Sequence, residues 1–453
     1  MTTTNQKRVP VEEWPVLQPD AAGLDIGAEE IWVSIPVDRA AESVRAFGTF
    51  TPDLQALADW LTQCRIKSVA MESTGVYWIP IYEILEARGF QVFLVNARHI
   101  QNVPGRKSDV KDCQWIQRLH SCGLLTASFR PEADMCALRA YLRHRATLVE
   151  YRAGHIQHMQ KALQQMNVQL TQVLSDISGV TGLQIMRAIV AGQRDPVALA
   201  QMRHARCRSS QDDIAKALTG NYRPEHVFAL KQALALYDAY TQQLQECDAE
   251  IERQYRALKP GNDDPLPPLP PDPKVNTHSK NGPGGDTRAQ LYRLAGVDLT
   301  AVAGLHASTV QTVLAETGTD MSKWPTDKHF CSWLGLAPHN DITGGKIKRS
   351  RTLKVKNRAA QALRVAAQSL TRSDSALGAF YRQLRARLGP AQAITATAHK
   401  LARIIYHMLK TRQPYQELGE AAYEARYRER RVKALQHQAA KMGYQLVPQP
   451  VPN

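Results

Sequence analysis

Gly23-Leu24-Asp25-Ile26-Gly27 is the stretch whose reading decides the fold. One acid sits in a short apolar run between glycines, and the β-branched Ile31-Trp32-Val33-Ser34-Ile35-Pro36-Val37 follows it. The pattern predicts a strand, a turn and a second strand. A carboxylate inside a buried strand is costly unless a cation neutralises it. Asp25 therefore directs attention to other acids able to share a metal ion with it.

Two such places follow. Lys67-Ser68-Val69-Ala70-Met71-Glu72 is a second short apolar run that ends in an acid, before Ser73-Thr74-Gly75. Lys107-Ser108-Asp109-Val110-Lys111-Asp112 opens a helical pattern with Ser108 as N-cap. Asp109 and Asp112, three residues apart, share a helix face, and the first turn favours acids. Asp25, Glu72, Asp109 and Asp112 are hard oxygen ligands suited to Mg²⁺ or Mn²⁺. Two such ions ~4 Å apart clamp the attacking and leaving oxygens of a phosphodiester. Taken singly, each acid also fits a cap, a turn or a solvated face. The order strand, hairpin, strand, helix, strand, helix, strand, helix accounts for all four together, with helical spacing over 53–64 and 77–88 and a buried strand at Gln91-Val92-Phe93-Leu94-Val95-Asn96. That order matches the RNase H-like nucleases.

The 453 residues have room for two or three domains, and a net charge of +15 points to a polyanionic partner, nucleic acid first among them. The seven cysteines are scattered without a C-x-x-C pair, which indicates neither a zinc site nor a disulfide framework. Residues 1–20 are polar with no apolar core of signal-peptide length, and no apolar run is long enough to span a membrane. The expected location is cytoplasmic, at the nucleoid when bound.

A tail is expected over residues 1–20 and an α/β domain over 21–130. A helical coiled-coil region over 131–258 follows from Leu142, Val149, Ile156, Leu163 and Leu170, with Leu138, Met159 and Met166 flanking that line, and from Leu230, Tyr237, Leu244, Ile251 and Leu258, both at sevens. These lines pair with each other or between subunits, or form two faces of a bundle. Residues 259–287 read as a linker, stiff at Pro265-Leu266-Pro267-Pro268-Leu269-Pro270-Pro271-Asp272-Pro273 and flexible at Lys280-Asn281-Gly282-Pro283-Gly284-Gly285. A mainly α C-terminal domain spans 288–415, with a phosphate-holding or merely structural turn at Val302-Ala303-Gly304-Leu305-His306, and a helical tail covers 416–453.

The most basic window carries Lys346, Lys348, Arg349, Arg351, Lys354, Lys356 and Arg358, with Arg364 beyond, and no acid over 344–364. It suits phosphate neutralisation. Just before it, Thr343-Gly344-Gly345 offers a hydroxyl where glycines let a backbone approach phosphate.

Gly-Leu-Asp-Ile-Gly at 23–27, Met-Glu-Ser-Thr-Gly at 71–75, Lys-Ser-Asp-Val-Lys-Asp at 107–112, Trp-Leu-Gly-Leu-Ala-Pro at 333–338, Thr-Gly-Gly-Lys at 343–346 and Asn-Arg-Ala-Ala-Gln-Ala at 357–362 occur in this order. Over most of its length the chain thus resembles the DEDD transposases of bacterial insertion sequences (insertion-sequence family 110, subgroup 1111). The resemblance implies a RuvC-like N-terminal domain, a coiled-coil middle and a C-terminal transposase domain. It implies Mg²⁺ on Asp25, Glu72, Asp109 and Asp112, and a C-terminal hydroxyl that joins covalently to DNA at a site shared between subunits. It further implies donor and target DNA, an element-encoded non-coding guide RNA, and dimers that assemble into tetramers. Relatives carry serine where this chain has Thr343, whose extra methyl restricts χ1. Ser350, Thr352 or an activated water are the other nucleophiles compatible with the sequence. A RuvC-type nuclease acting on branched DNA and a non-catalytic nucleic-acid-binding protein are the alternatives to a site-specific recombinase.

Overall fold

The computed structural model describes residues 14–73, 75–96, 108–261, 265–271, 281–282, 284–353, 355 and 357–447. It divides into two compact units, residues 1–130 and 131–453.

The first unit is a five-stranded sheet with helices. Its elements are β1 (Ala21–Ile26), β2 (Glu30–Ser34), β3 (Val44–Gly48), α1 (Thr51–Gln63), β4 (Ser68–Glu72), α2 (Trp78–Ala87), β5 (Gln91–Val95) and α3 (Asp109–Ser121). The sheet order is β3-β2-β1-β4-β5. The first three strands pair antiparallel, and β1, β4 and β5 run parallel. Alternation along β1 explains its two covered faces. Ala22, Leu24 and Ile26 join Leu54, Leu57 and Leu61 of α1 and Ile81 and Leu85 of α2 in one core. The opposite face carries the smallest residues, Ala21 and Gly23, and α3 lies on that side. Ala70 and Val95 meet Ile116 and Leu119 of α3 there.

Residues 14–18 are not a loose end, as the expectation for residues 1–20 had it. The Arg118 guanidinium donates to the Trp14 carbonyl at 2.8 Å, and the Leu17 and Gln18 amides donate to the Ser121 carbonyl. At the other end of the unit Arg130 lies over the Tyr82 ring and pairs with Glu83 and Glu86 of α2.

The second unit is mainly helical. Two long helices, α4 (Ala133–Gln165) and α9 (Pro224–Ala257), flank the short α5 (Leu170–Val173), α6 (Val180–Val190), α7 (Pro196–Ala200) and α8 (Gln211–Ala217). The pairs Arg145–Asp248, Arg152–Thr241 and His155–Tyr240 run in opposite senses along the two chains, so α4 and α9 pack antiparallel within one molecule. On α9 the line Leu230, Tyr237, Leu244, Ile251 is buried as its spacing requires. On α4 the buried track is Leu138, Arg152, Met159 and Leu163, while Leu142, Val149 and Ile156 are half-buried. The short helices cap the far end around Met166, Ile185, Met186 and Ile214.

Two described parts of the expected linker are docked. Tyr292 donates to the Pro267 carbonyl at 2.9 Å, and Arg288 donates to that of Pro270 at 2.8 Å. Arg145 donates to the carbonyls of Asn281 and Gly282, and Arg152 to the Asn281 side chain at 2.7 Å. Residues 272–280 lie outside the described residues.

The remaining elements are α10 (Thr287–Ala295), α11 (Ala307–Thr317), α12 (Asp327–Trp333), a hairpin of β6 (Pro338–Thr343) and β7 (Lys346–Thr352), α13 (Arg358–Ser369), α14 (Ala376–Leu388), α15 (Pro390–Thr411) and α16 (Gly419–Lys441). Gly304 has φ +85°, and a β-carbon on it would stand 3.0 Å from the Ala366 carbonyl. The left-handed backbone favours glycine there, and α13 leaves a β-carbon little room. Among the described residues no helix is long and apolar enough to cross a membrane.

Candidate functional site

The register of β1 on β4 runs from Ala21 opposite Ser68 to Leu24 opposite Met71. The next residues are Asp25, fifth of the six in β1, and Glu72, the last of β4, on adjacent parallel strands. Asp25 lies two residues past Gly23, and Glu72 two past Ala70, so both stand on the face covered by α3.

The small face of β1 lets α3 in. A β-carbon on Gly23 would lie 2.2 Å from the Gln117 amide nitrogen and 2.5 Å from the Cys113 carbonyl. The Gln117 side chain donates to the Ala21 carbonyl at 3.3 Å. Moving up β1 from Ala21 to Gly23 thus moves back along α3 from Gln117 towards Cys113. Two more strand residues, about 6.6 Å, bring Asp25 level with the first turn of α3.

That turn begins as its sequence requires. Ser108 is extended at φ −150°, ψ 144°, and its hydroxyl accepts from the Lys111 amide at 3.4 Å. Asp109 and Asp112 stand in the first turn, Asp109 exposed and Asp112 half-buried. Cys113 reports on the cluster: burial, then the charge of Asp25 and, more weakly, that of Asp112 push its thiol up to about 12. One buried sulfur thus feels an acid from the strand and an acid from the helix.

The donor set is entirely carboxylate, which suits a hard divalent cation, and the backbone brings strand ends and helix start to one place. As the side chains stand, no three His, Cys, Asp or Glu groups among the described residues close on a single metal position. The fit is therefore one of donor chemistry. Thr74 and residues 97–107 lie outside the described residues.

Deeper on the same face, His120 of α3 is fully buried. Its Nε2 lies 3.0 Å from the Ser68 hydroxyl, and its ring packs on Phe93 at 4.5 Å. Burial pushes the imidazole down to about 4. Sequence reasoning read Gly23 only as a flank of Asp25 and gave no role to Cys113, Gln117 or His120. The one available signal was the Ala21, Gly23 alternation on β1, which marks a face with room for a backbone.

In the second unit Thr343 ends β6 and pairs with Lys346 across Gly344 and Gly345. Those glycines have φ +56° and +74°, the two-residue hairpin turn that needs a left-handed backbone at both positions. Thr343 is exposed at the tip. Asp341 faces Arg349 and Ile342 faces Ile347, which leaves Lys348 as a bulge. Lys346, Lys348, Arg349 and Arg351 are all exposed on β7, as is Arg358 at the start of α13. Lys354 and Lys356 lie outside the described residues. Ser350 and Thr352 pair with Asn340 and Pro338, towards the base of the hairpin.

The segments flanking the hairpin are packed and capped. Leu334 and Leu336 are buried, and Gly335 at φ +67° would drive a β-carbon to 2.3 Å from Val355. Asn357 caps α13 by accepting from the Ala360 amide at 3.1 Å.

Residues 22–168 match the DEDD transposase family model of IS110, described as a transposase, and residues 298–382 match the model described as transposase of the IS116/IS110/IS902 family. The first match contains all four acids and the second contains the hairpin. No curated protein matches the chain.

Proposed function

Because the chain belongs to the IS110 family of DEDD transposases, we propose that this DNA transposase breaks and rejoins strands at a site built from Asp25, Glu72, Asp109 and Asp112 and completed by Thr343. The reading is supported by the parallel pairing of β1 with β4, the strands that carry Asp25 and Glu72, and by the close approach of α3 to Gly23. The sheet order β3-β2-β1-β4-β5 supports an RNase H-like, RuvC-like assignment for the first unit, and the antiparallel α4–α9 pair supports a coiled-coil arm.

Mg²⁺ or Mn²⁺ held by the four carboxylates would supply Lewis-acid stabilisation of charge on the phosphodiester oxygens. The chain's own residues do the rest. The Thr343 hydroxyl attacks phosphorus and yields its proton to a carboxylate of the cluster. The phosphorus–oxygen bond to the departing strand breaks and that oxygen takes up the proton Thr343 released, leaving a free hydroxyl on that strand and a phosphothreonyl link. A DNA hydroxyl attacking that link restores Thr343 and completes the exchange. Exposed Lys346, Lys348, Arg349, Arg351 and Arg358, with Lys354 and Lys356 beside them in sequence, neutralise backbone phosphates.

Thr343 and the acids belong to separate compact units, which is compatible with a site shared between subunits of a dimer or tetramer. The net charge of +15 leaves room for a guide RNA as a second polyanion, and the place of action is the bacterial nucleoid.

Trapping tests the reading. Incubated with donor DNA and Mg²⁺, the parent should yield a protein–DNA adduct that survives denaturation. Thr343→Ser should keep it and Thr343→Ala should abolish it. Cleavage without an adduct in the parent would replace this mechanism with water-driven hydrolysis of the RuvC kind.

A further inference from the structure

We propose that the free half of α16 lies in the major groove of duplex DNA. The helix starts on α14, where Arg382 pairs with Glu420, Tyr423 donates to Gln383 at 3.3 Å, and the Phe380 and Tyr423 rings meet edge-on. Past Tyr427 it runs on in solvent, and none of its residues is buried. An isolated helix of this length is marginal in water, so this half gains stability once a partner covers it.

Its charge selects the partner. From Arg426 to Lys441 there are six Lys and Arg against one acid, Glu429, which pairs with Lys433 at 2.7 Å. Arg426, Arg430, Lys433, His437 and Lys441 follow spacings of three and four and make one stripe. Arg428 and Arg431 fall on the other side of the cylinder, so cations flank the helix both ways. A groove with phosphates on both walls matches that distribution, whereas a second copy of the same helix would repel it. The segment spans about 22 Å, and a helix about 10–12 Å across fits the ~12 Å major groove of B-DNA. The A-form groove of duplex RNA is too deep and narrow to admit it. The proposal presumes a DNA-binding enzyme but uses none of the acids and no part of the hairpin.

The test is a salt titration of the full chain on a short fluorescent DNA duplex, comparing the parent with a variant carrying Arg426→Gln, Arg430→Gln, Lys433→Gln and Lys441→Gln. Glutamine preserves helix propensity, and circular dichroism checks the fold. Losing four phosphate contacts should flatten the slope of log K against log salt by about 3–4. Val432→Gln with Leu435→Gln should leave the slope alone. An unchanged slope in the fourfold variant overturns the proposal while the transposase reading stands. So does equal binding of duplex RNA with the same loss, or a fourfold variant that sediments as a smaller species than the parent, which would assign the helix to a second copy. A parent that binds no DNA removes both readings.

Discussion

Gly23 of β1 and Gln117 of α3 touch backbone to backbone: a β-carbon on the glycine would stand 2.2 Å from the Gln117 amide nitrogen. The contact fixes how far α3 approaches the sheet, and therefore where Asp109 and Asp112 stand relative to Asp25. Gly23→Ala is expected to cost about 1–3 kcal/mol, the usual range for overpacking, read as a lower denaturation midpoint. Activity should fall further than stability, because the helix must back away from the strand that carries Asp25. An alanine variant with parental melting and cleavage would show that α3 does not set the site.

Asp25→Asn and Glu72→Gln keep shape and remove charge. Each should lower strand cleavage by at least about a hundredfold, the scale seen when one preorganised stabilising group is lost. Neither should unfold the first unit, since both residues stand at strand ends. Chelating divalent ions should stop cleavage by the parent and leave its DNA binding in place, as read by a mobility shift.

His120 gives the first unit a pH dependence. Its imidazole sits at about 4 against an ordinary 6.5, so between those values the unfolded chain takes up a proton that the folded chain refuses. The stability held by the neutral ring is fully present above pH 6.5 and is lost as pH falls towards 4, to a total of about 3 kcal/mol. His120→Gln, which cannot take that proton, should lose less stability than the parent between pH 6.5 and 4.5. Parallel melting curves for the two proteins across that range would contradict this.

The hairpin divides into a turn and a charged strand. Gly344→Val forces a β-branched residue into a left-handed backbone at a cost of about 1–2 kcal/mol. It should abolish adduct formation by misplacing Thr343, with DNA affinity nearly intact. Replacing Lys346, Lys348, Arg349 and Arg351 by alanine should do the reverse to affinity, flattening the salt slope by up to about 3–4. If the two variants have the same effect on binding, the division fails.

Much of the first unit was legible because its signals are local. Ser108 is a cap by residue type, and the short apolar runs that carry Asp25 and Glu72 fold as strands. Gly23 was not legible as a contact, since nothing in five residues says which helix will lie on them. Along α4 the sevens Leu142, Val149 and Ile156 are half-buried and Leu163 is buried, while Leu138 and Met159, which flank that line, are buried together with Arg152. Arg152 reads as surface charge until its partners, Thr241 and Asn281, arrive from far along the chain. The docking of the Pro-rich stretch was hidden for the same reason. Composition reports stiffness, whereas attachment depends on the distant donors Arg288 and Tyr292.

The anchoring of the α4–α9 pair has a mechanical consequence. Arg145 and Arg152, midway along α4, hold Asn281 and Gly282, and Arg145 also pairs with Asp248 of α9, while the short helices crown one end of the pair. Between those fixtures the two helices act as a ruler graduated in residues. Seven residues added to each would carry the crown outward by about 10 Å and return every side chain to nearly its former bearing. Three or four residues added to only one would shear the ruler instead. Matched insertions of whole heptads are therefore expected to lengthen the reach of the crown and leave the packing at each end as it is.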